Sequence, residues 1–244
     1  MTSFRSLSLP SKLEVVLLYT RINLKIVFGL KALFLLVGTL LYVVVLCLLA
    51  VYTDALSLSV GQALPLVIWL PLTLFAVIFS MDIISRERDA NLIETFFTVS
   101  GSVYRLWIIK FATLMGSLSV LAFALILTTD LFVVEVPIWL TLLSVLPPIL
   151  FFASLTVLLS ALTGSANAAG LCVTAILAFV VITSEGLATT VVYPYLNPFE
   201  KPVHVESFIW NRNVVYNKIA FFLLGCVCFW RALRRLDHRE KLLK

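Results

Sequence analysis

The chain alternates long apolar stretches with short polar connections. Six stretches are each long enough to form a membrane helix: 27–52, 63–81, 106–127, 138–162, 168–190 and 214–230. About 20 apolar residues in helical conformation cross the hydrocarbon of a bilayer, where the backbone must satisfy its own hydrogen bonds. The pattern predicts an all-α membrane protein, with six transmembrane helices in a single transmembrane domain, 1–244.

Prolines interrupt two of these stretches. Pro147 and Pro148 lack backbone donors in the middle of the fourth stretch, and Pro65 and Pro71 lie in the second. A proline inside a helix removes a hydrogen bond and its ring clashes with the preceding turn. We therefore predict a kink or a break in the fourth helix, and a kink in the second.

Two flanking segments have a different character. Segment 10–26 mixes leucine and valine with charged residues, which predicts a helix lying in the membrane interface; after Arg21 it could equally extend the first span. Segment 191–213 carries three prolines among aromatic residues, so one straight helix is excluded. We expect an outer re-entrant segment there, with short half-inserted helices before the last span, sheltered by protein.

Composition and charge agree with a membrane protein. The chain is 61% hydrophobic and 13% charged, whereas a soluble domain is about 25% charged. With the N-terminus in the cytoplasm, fifteen of the 18 Lys and Arg residues fall on the cytoplasmic side, leaving only Lys201, Arg212 and Lys218 outside. This bias predicts a multi-pass protein with both termini cytoplasmic, and it accounts for the net charge of +5 without a nucleic-acid partner.

Segment 83–99 is the predicted cytoplasmic helix between the second and third spans. Ser85 is a candidate N-cap, with Glu87 and Asp89 at the positive end of the helix dipole. Apolar residues then recur at helical spacing, so the segment is amphipathic. Such a helix either lies on the lipid surface or docks in a groove of a soluble partner, whose movement it passes to the spans. Mixed charge favours the protein groove, since anionic lipid selects Lys and Arg.

The run "SRERDANLIETFFTVSGSVYRLWIIKFATL" resembles the first cytoplasmic loop of ABC type-2 exporter permeases. Glu87 and Asp89 match that family's charged start, Leu92 its apolar core, and Lys110 the lysine that enters the third span. The chain has Ala-Asn where that family has Gly-Thr. Two later segments resemble elements of the same family and occur in the same order. "SALTGSANAAG" resembles its tight inner turn, and "YLNPF" resembles its N-P element before the last span.

The resemblance implies a coupling helix that docks on a separate ATPase subunit, in a cell inner membrane. Its contact residues would be Arg86, Glu87, Arg88, Asp89, Leu92, Ile93, Glu94, Phe96 and Phe97. ATP and magnesium are expected on that partner, because this chain lacks a G-x-x-x-x-G-K-[ST] loop. A second permease chain, identical or not, would complete the exporter. The alternatives are a haem-exporter-like permease of cytochrome maturation, or a membrane-embedded enzyme or assembly factor without an ATPase.

A possible gate lies near the predicted outer face. Glu185 is a carboxylate near the outer end of the fifth stretch, and a carboxylate within a membrane is a candidate functional residue. The alternative is that Glu185 lies at the outer interface, where water reaches it, and has no role in gating. The resemblance of "YLNPF" to the N-P element of exporter permeases adds Asn197 and Pro198 to this candidate gate. Lys218 is expected to extend toward the outer interface.

The remaining residues indicate packing rather than chemistry. Small residues at 167–170 predict close approach of the fourth and fifth helices. The four cysteines lie in apolar stretches and are expected to be buried. The two histidines, His204 and His238, fall on opposite sides of the membrane. No catalytic, cofactor or metal-binding residue is predicted.

Overall fold

A computed structural model describes residues 37–39, 41–42, 44–45, 61, 64–89 and 103–237. This part of the chain contains helices and no strands, so the predicted all-helical class is confirmed. The elements are a π-helical turn, Leu64–Trp69, and six helices: α1 Leu70–Asp89, α2 Val103–Phe132, α3 Ile138–Thr163, α4 Ala166–Ile182, α5 Ser184–Leu187 and α6 Ser207–Asp237.

Within the described residues, four helical segments are long and apolar enough to cross a membrane. They are Leu64–Met81, Trp107–Phe132, Ile138–Thr163 and Ser207–Leu236. The fifth predicted span is represented by α4, which is apolar but has only 17 residues. The first predicted span, 27–52, and the interfacial segment 10–26 lie largely or wholly outside the described residues.

Several predicted boundaries are wrong. The fifth span was expected over 168–190, but α4 ends at Ile182 and a separate single turn, α5, follows. The last span was expected from 214, but α6 begins at Ser207. Apolar patterning missed this first part of α6 because it is polar: Asn211 and Arg212 are helical with exposed side chains. The half-inserted helices predicted within 191–213 do not form, since 191–206 consists of turns, bends and irregular backbone and the single turn α5 precedes this segment.

The break that Pro147 and Pro148 predicted as one outcome is wrong, whereas the kinks predicted in the fourth and second spans stay predictions. Helix α3 runs through Pro147 and Pro148 without a break. It packs against α1, α2, α4 and α6, and these tertiary contacts hold the helix where two backbone hydrogen bonds are missing. Pro71 comes two residues after Trp69, the end of the π-helical turn Leu64–Trp69, whose wider backbone gives room for a ring that would clash with an α-helical carbonyl.

Helix α1 continues beyond the predicted end of the second span. Ser85 lies inside α1, which reaches Asp89, so the predicted N-cap at Ser85 is wrong. Residues 82–89 contain no glycine or proline, and Arg and Glu are good helix formers, so nothing local ends the helix at Met81. The first part of the predicted coupling helix, 83–89, is therefore one rigid element with the apolar helix before it.

Small residues bring α4 close to α1. A Cβ atom at Gly170 would lie 2.8 Å from the sulfur of Met81. Close approach was predicted between the fourth and fifth spans, which are α3 and α4. Gly170 instead faces α1, so the helix that it lets come close is α1. Asn167, the first of the predicted small-residue stretch, is exposed.

Helices α3 and α6 also approach closely, at Gly225. A Cβ atom there would lie 3.0 Å from Leu150 Cγ and 3.2 Å from the backbone nitrogen of Phe151. The second neighbour is backbone and cannot rotate away. Gly225 therefore permits the spacing of two helices that pack along much of their length.

We expect Gly225→Leu to lower the free energy of unfolding by about 1–3 kcal/mol, because the larger side chain overpacks the contact with α3. Gly116→Leu in α2 is the matched control, since a Cβ at Gly116 meets nothing within 4 Å. Its effect should be neutral or stabilising by up to about 1 kcal/mol through helix propensity. Thermal unfolding in one detergent compares the two variants, and equal shifts would contradict the close approach.

Candidate functional site

Aromatic side chains from the π-helical turn, from α3 and from the segment before α6 meet near one end of the bundle. We call this the loop end; it comprises the π-helical turn Leu64–Trp69, the connection 133–137 and segment 183–206. The ring of Tyr195 stacks on Trp69, with centroids 5.4 Å apart, and on Phe152 at 6.0 Å. Tyr193 meets Tyr195 edge-on, also at 6.0 Å. These four buried rings form the aromatic cluster.

Hydrogen bonds tie the aromatic cluster to α1. The hydroxyl of Tyr195 donates to Thr73 Oγ1 at 2.7 Å, and Thr73 Oγ1 donates to the carbonyl of Trp69 at 2.7 Å. Burial is the main cause that raises the pKa of the Tyr195 phenol well above its usual value. The phenol therefore keeps its proton and remains a donor, which fixes the segment around Tyr195 on the first turns of α1.

Helix α6 holds the same segment from the other side. Asn217 Nδ2 donates to the carbonyls of Val191, at 2.6 Å, and Tyr193, at 2.9 Å. Lys218 Nζ donates to the carbonyl of Pro194 at 3.4 Å, so its side chain extends toward the loop end. That the loop end is the outer one stays a prediction. These bonds satisfy backbone carbonyls of a segment that has no helical hydrogen bonds of its own to do so.

The site also holds polar atoms without partners. Within the part of the chain described, Trp69 Nε1 and Asn217 Oδ1 are buried and make no hydrogen bond. Buried polar atoms normally have a partner, since an unpaired one costs about 1–3 kcal/mol. The indole N–H of Trp210, which packs against Leu196, is also unpaired, so among the described residues the loop end has two donors and one acceptor without partners.

The predicted gate residues also lie at the loop end. Asn197 is buried, donates to the carbonyl of Gly61 at 3.4 Å and accepts from the backbone N–H of Phe199 at 3.0 Å. These bonds fix the turn at Pro198, which is half-buried. Glu185 belongs to α5. A gating role for these residues stays a prediction.

The predicted coupling residues lie at the opposite end of α1. Residues 86–89 form its last described turn. Asp89 is 20 residues from Trp69, which corresponds to about 30 Å of helix. The other five predicted coupling residues lie outside the described residues: Leu92, Ile93, Glu94, Phe96 and Phe97. Lys110, near the start of α2, is buried with its Nζ 5.2 Å from the centre of the Trp107 ring.

Sequence reasoning missed four residues of this site: Trp69, Thr73, Phe152 and Asn217. A signal existed for Asn217, because a lone amide beside Lys218 in an apolar helix is costly unless it binds something. Trp69 and Thr73 are four residues apart and so share one helix face. Nothing local indicated that this face meets Tyr195.

In the described ranges, no group of three or more His, Cys, Asp or Glu side chains could hold a metal ion. Cys172 and Cys226 are exposed and Cys228 is half-buried, so the expected burial is wrong for the first two. An apolar thiol costs little when it faces lipid or another chain, and hydropathy therefore does not report which side of a helix it occupies.

The fold and the site define a class: an all-helical protein whose helices are suited to a membrane, with a buried aromatic and amide site at one end. Comparison of the chain with protein-family models, curated proteins and solved structures gives no match.

Proposed function

We propose that the chain is the membrane permease subunit of an ATP-driven exporter, whose energy comes from a separate ATPase subunit that binds ATP and magnesium. The observation that carries the proposal is the unbroken helix α1. It joins the charged residues 86–89 to the turn that holds the aromatic cluster. A helix of this kind transmits a displacement along its axis, because its backbone hydrogen bonds resist compression.

In this proposal the ATPase contacts residues 86–97 and moves them when ATP binds. The displacement reaches Thr73 and Trp69, which hold Tyr195, and so acts on the segment that covers the loop end. Glu185, Asn197 and Pro198 belong to that covering region and would form the gate. Coupling of a soluble motor to a membrane site requires an element with this reach and stiffness.

The proposed arrangement has six spans and places the loop end outside the cell. Three arginines near the end of α6, Arg231, Arg234 and Arg235, support a cytoplasmic place for that end. Helices α4 and α6 expose large apolar side chains such as Phe179, Leu223 and Trp230. In a bilayer these surfaces face lipid or the second permease chain, as a homodimer or a heterodimer.

Co-purification tests the proposal. The tagged chain, extracted from its native membrane in mild detergent, should bring with it a subunit that has a G-x-x-x-x-G-K-[ST] loop and hydrolyses ATP. Reconstituted with that subunit, it should move substrate only when ATP and magnesium are supplied. If the chain alone were fully active in liposomes, with no nucleotide-hydrolysing subunit present, the proposal would be wrong.

A further inference from the structure

Helix α6 carries a lysine at the boundary between its buried and exposed faces. Val214 and Phe221, on one side of Lys218, are each 8% exposed. Val215 and Phe222, on its other side, are 54% and 51% exposed. All four lie three or four residues from Lys218, so they flank it on the helix surface. The lysine therefore separates the protein interior from the apolar outer surface of α6.

The ammonium of Lys218 has few acceptors. An ammonium carries three N–H donors, and in the described residues Lys218 has one long hydrogen bond, to the carbonyl of Pro194 at 3.4 Å. It also lies 5.8 Å from the centre of the Trp69 ring. Among the carboxylates whose side chains the structure describes, none pairs with it. Two N–H donors of the ammonium therefore have no acceptor among the described residues, and such an excess suits an anion.

The backbone of Lys218 lies within the candidate span Ser207–Leu236, so only its extended side chain reaches the head-group level. Thirteen residues separate it from Arg231, which is about 20 Å of helix, whereas hydrocarbon is about 30 Å thick. Both charges reach polar surroundings only if their side chains extend outward in opposite directions. Lys218 does extend toward the loop end, since its ammonium contacts Pro194. Lipid phosphates lie at this height.

We propose that Lys218, backed by the Trp69 indole, binds the head group of an anionic phospholipid. The acyl chain of that lipid lies along the exposed apolar stripe of α6 formed by Val215, Ile219 and Phe222. Lipid fits better than a protein partner because the stripe is apolar and the charge stands only at head-group height. Asn217 fixes the carbonyl-bearing segment beside Lys218, so the site is held in place. The inference does not depend on the proposed function.

Native mass spectrometry of the full chain in detergent tests this site. Phosphatidylglycerol and phosphatidylcholine with the same acyl chains are titrated separately, and inorganic phosphate is added as a competitor. The anionic lipid should bind at least about tenfold more tightly than the zwitterionic one, the difference expected for one hydrogen bond to a charged group. Lys218→Gln should remove that preference, and Lys218→Arg should keep it. Lys201→Gln is the matched control, since Lys201 is exposed in the loop and bonds to Ser207.

Four outcomes would overturn the site. They are equal binding of both lipids, a preference that survives in Lys218→Gln, full displacement by millimolar phosphate, and a doubled protein mass in place of lipid adducts. Displacement by phosphate would indicate a site for a soluble anion, and a doubled mass would assign the surface to a second copy. If Lys218→Gln is not monodisperse, the affinities of the two lipids are compared for the unmodified chain and for Lys218→Arg. Equal affinities in either protein would then overturn the site.

Discussion

Tyr195→Ala should lower the free energy of unfolding by about 3–5 kcal/mol, the range found when a buried large side chain is truncated. Three rings lose a partner at once, those of Trp69, Phe152 and Tyr193. Thr73 loses the hydrogen bond from the phenol. Because Tyr195 lies in a segment of turns, no helical backbone holds this segment in place when the ring is gone.

Tyr216→Ala provides the matched control for this prediction. Tyr216 is 59% exposed on α6, so its truncation leaves the interior unchanged. In a thermal unfolding experiment in one detergent, Tyr195→Ala should lower Tm by about 10 °C and Tyr216→Ala by about 2 °C or less. Tyr195→Phe removes only the hydroxyl and should cost about 1 kcal/mol. Similar shifts for the two alanine variants would show that the aromatic cluster does not stabilise the fold.

Charge reversal of Glu87 and Glu94 to lysine should reduce ATP-dependent transport at least about tenfold, with membrane insertion unchanged. The reason is that a groove arranged for these acids would face like charges, which weakens docking and misdirects it. Glu87 belongs to α1, so a defect at this contact would interrupt the proposed path to Trp69. Transport and ATPase activity of the reconstituted complex measure the effect.

The control for charge reversal is the double variant Glu135→Lys and Glu206→Lys. Both residues are exposed at the loop end, and the change in net charge is the same as in the coupling variant. This control should transport normally. If the Glu87 and Glu94 variant also transports and hydrolyses ATP normally, residues 86–97 are not the coupling contact.

Helix α3 illustrates what sequence predicts well. Its predicted bounds, 138–162, differ from the observed Ile138–Thr163 by one residue. Local signals mark both ends: Pro137 precedes the helix, and Gly164 follows it with φ 67° in the left-handed region that favours glycine. Ser165 is the N-cap of the next helix, α4, and its side chain accepts from the N–H of Ala168.

The end of α1 illustrates where local signals mislead. Ser85 has the chemistry of an N-cap, but capping requires the preceding residue to leave the helix, and nothing in 82–84 does so. Hydropathy marked the end of the apolar run at Met81 rather than the end of the helix. The same confusion of span with helix placed the start of α6 seven residues too late.

The sequence by itself determined that this protein is helical and apolar enough for a membrane, because helix formation in lipid depends on short-range hydrogen bonds and on runs of apolar residues. It also located the loop segment rich in proline and aromatic residues. Only the tertiary structure decided that Trp69, Tyr195 and Asn217 meet there. Contacts between residues more than 100 positions apart depend on how helices pack, and in lipid that packing rests on shape and on a few polar bonds that leave no periodic pattern in the sequence.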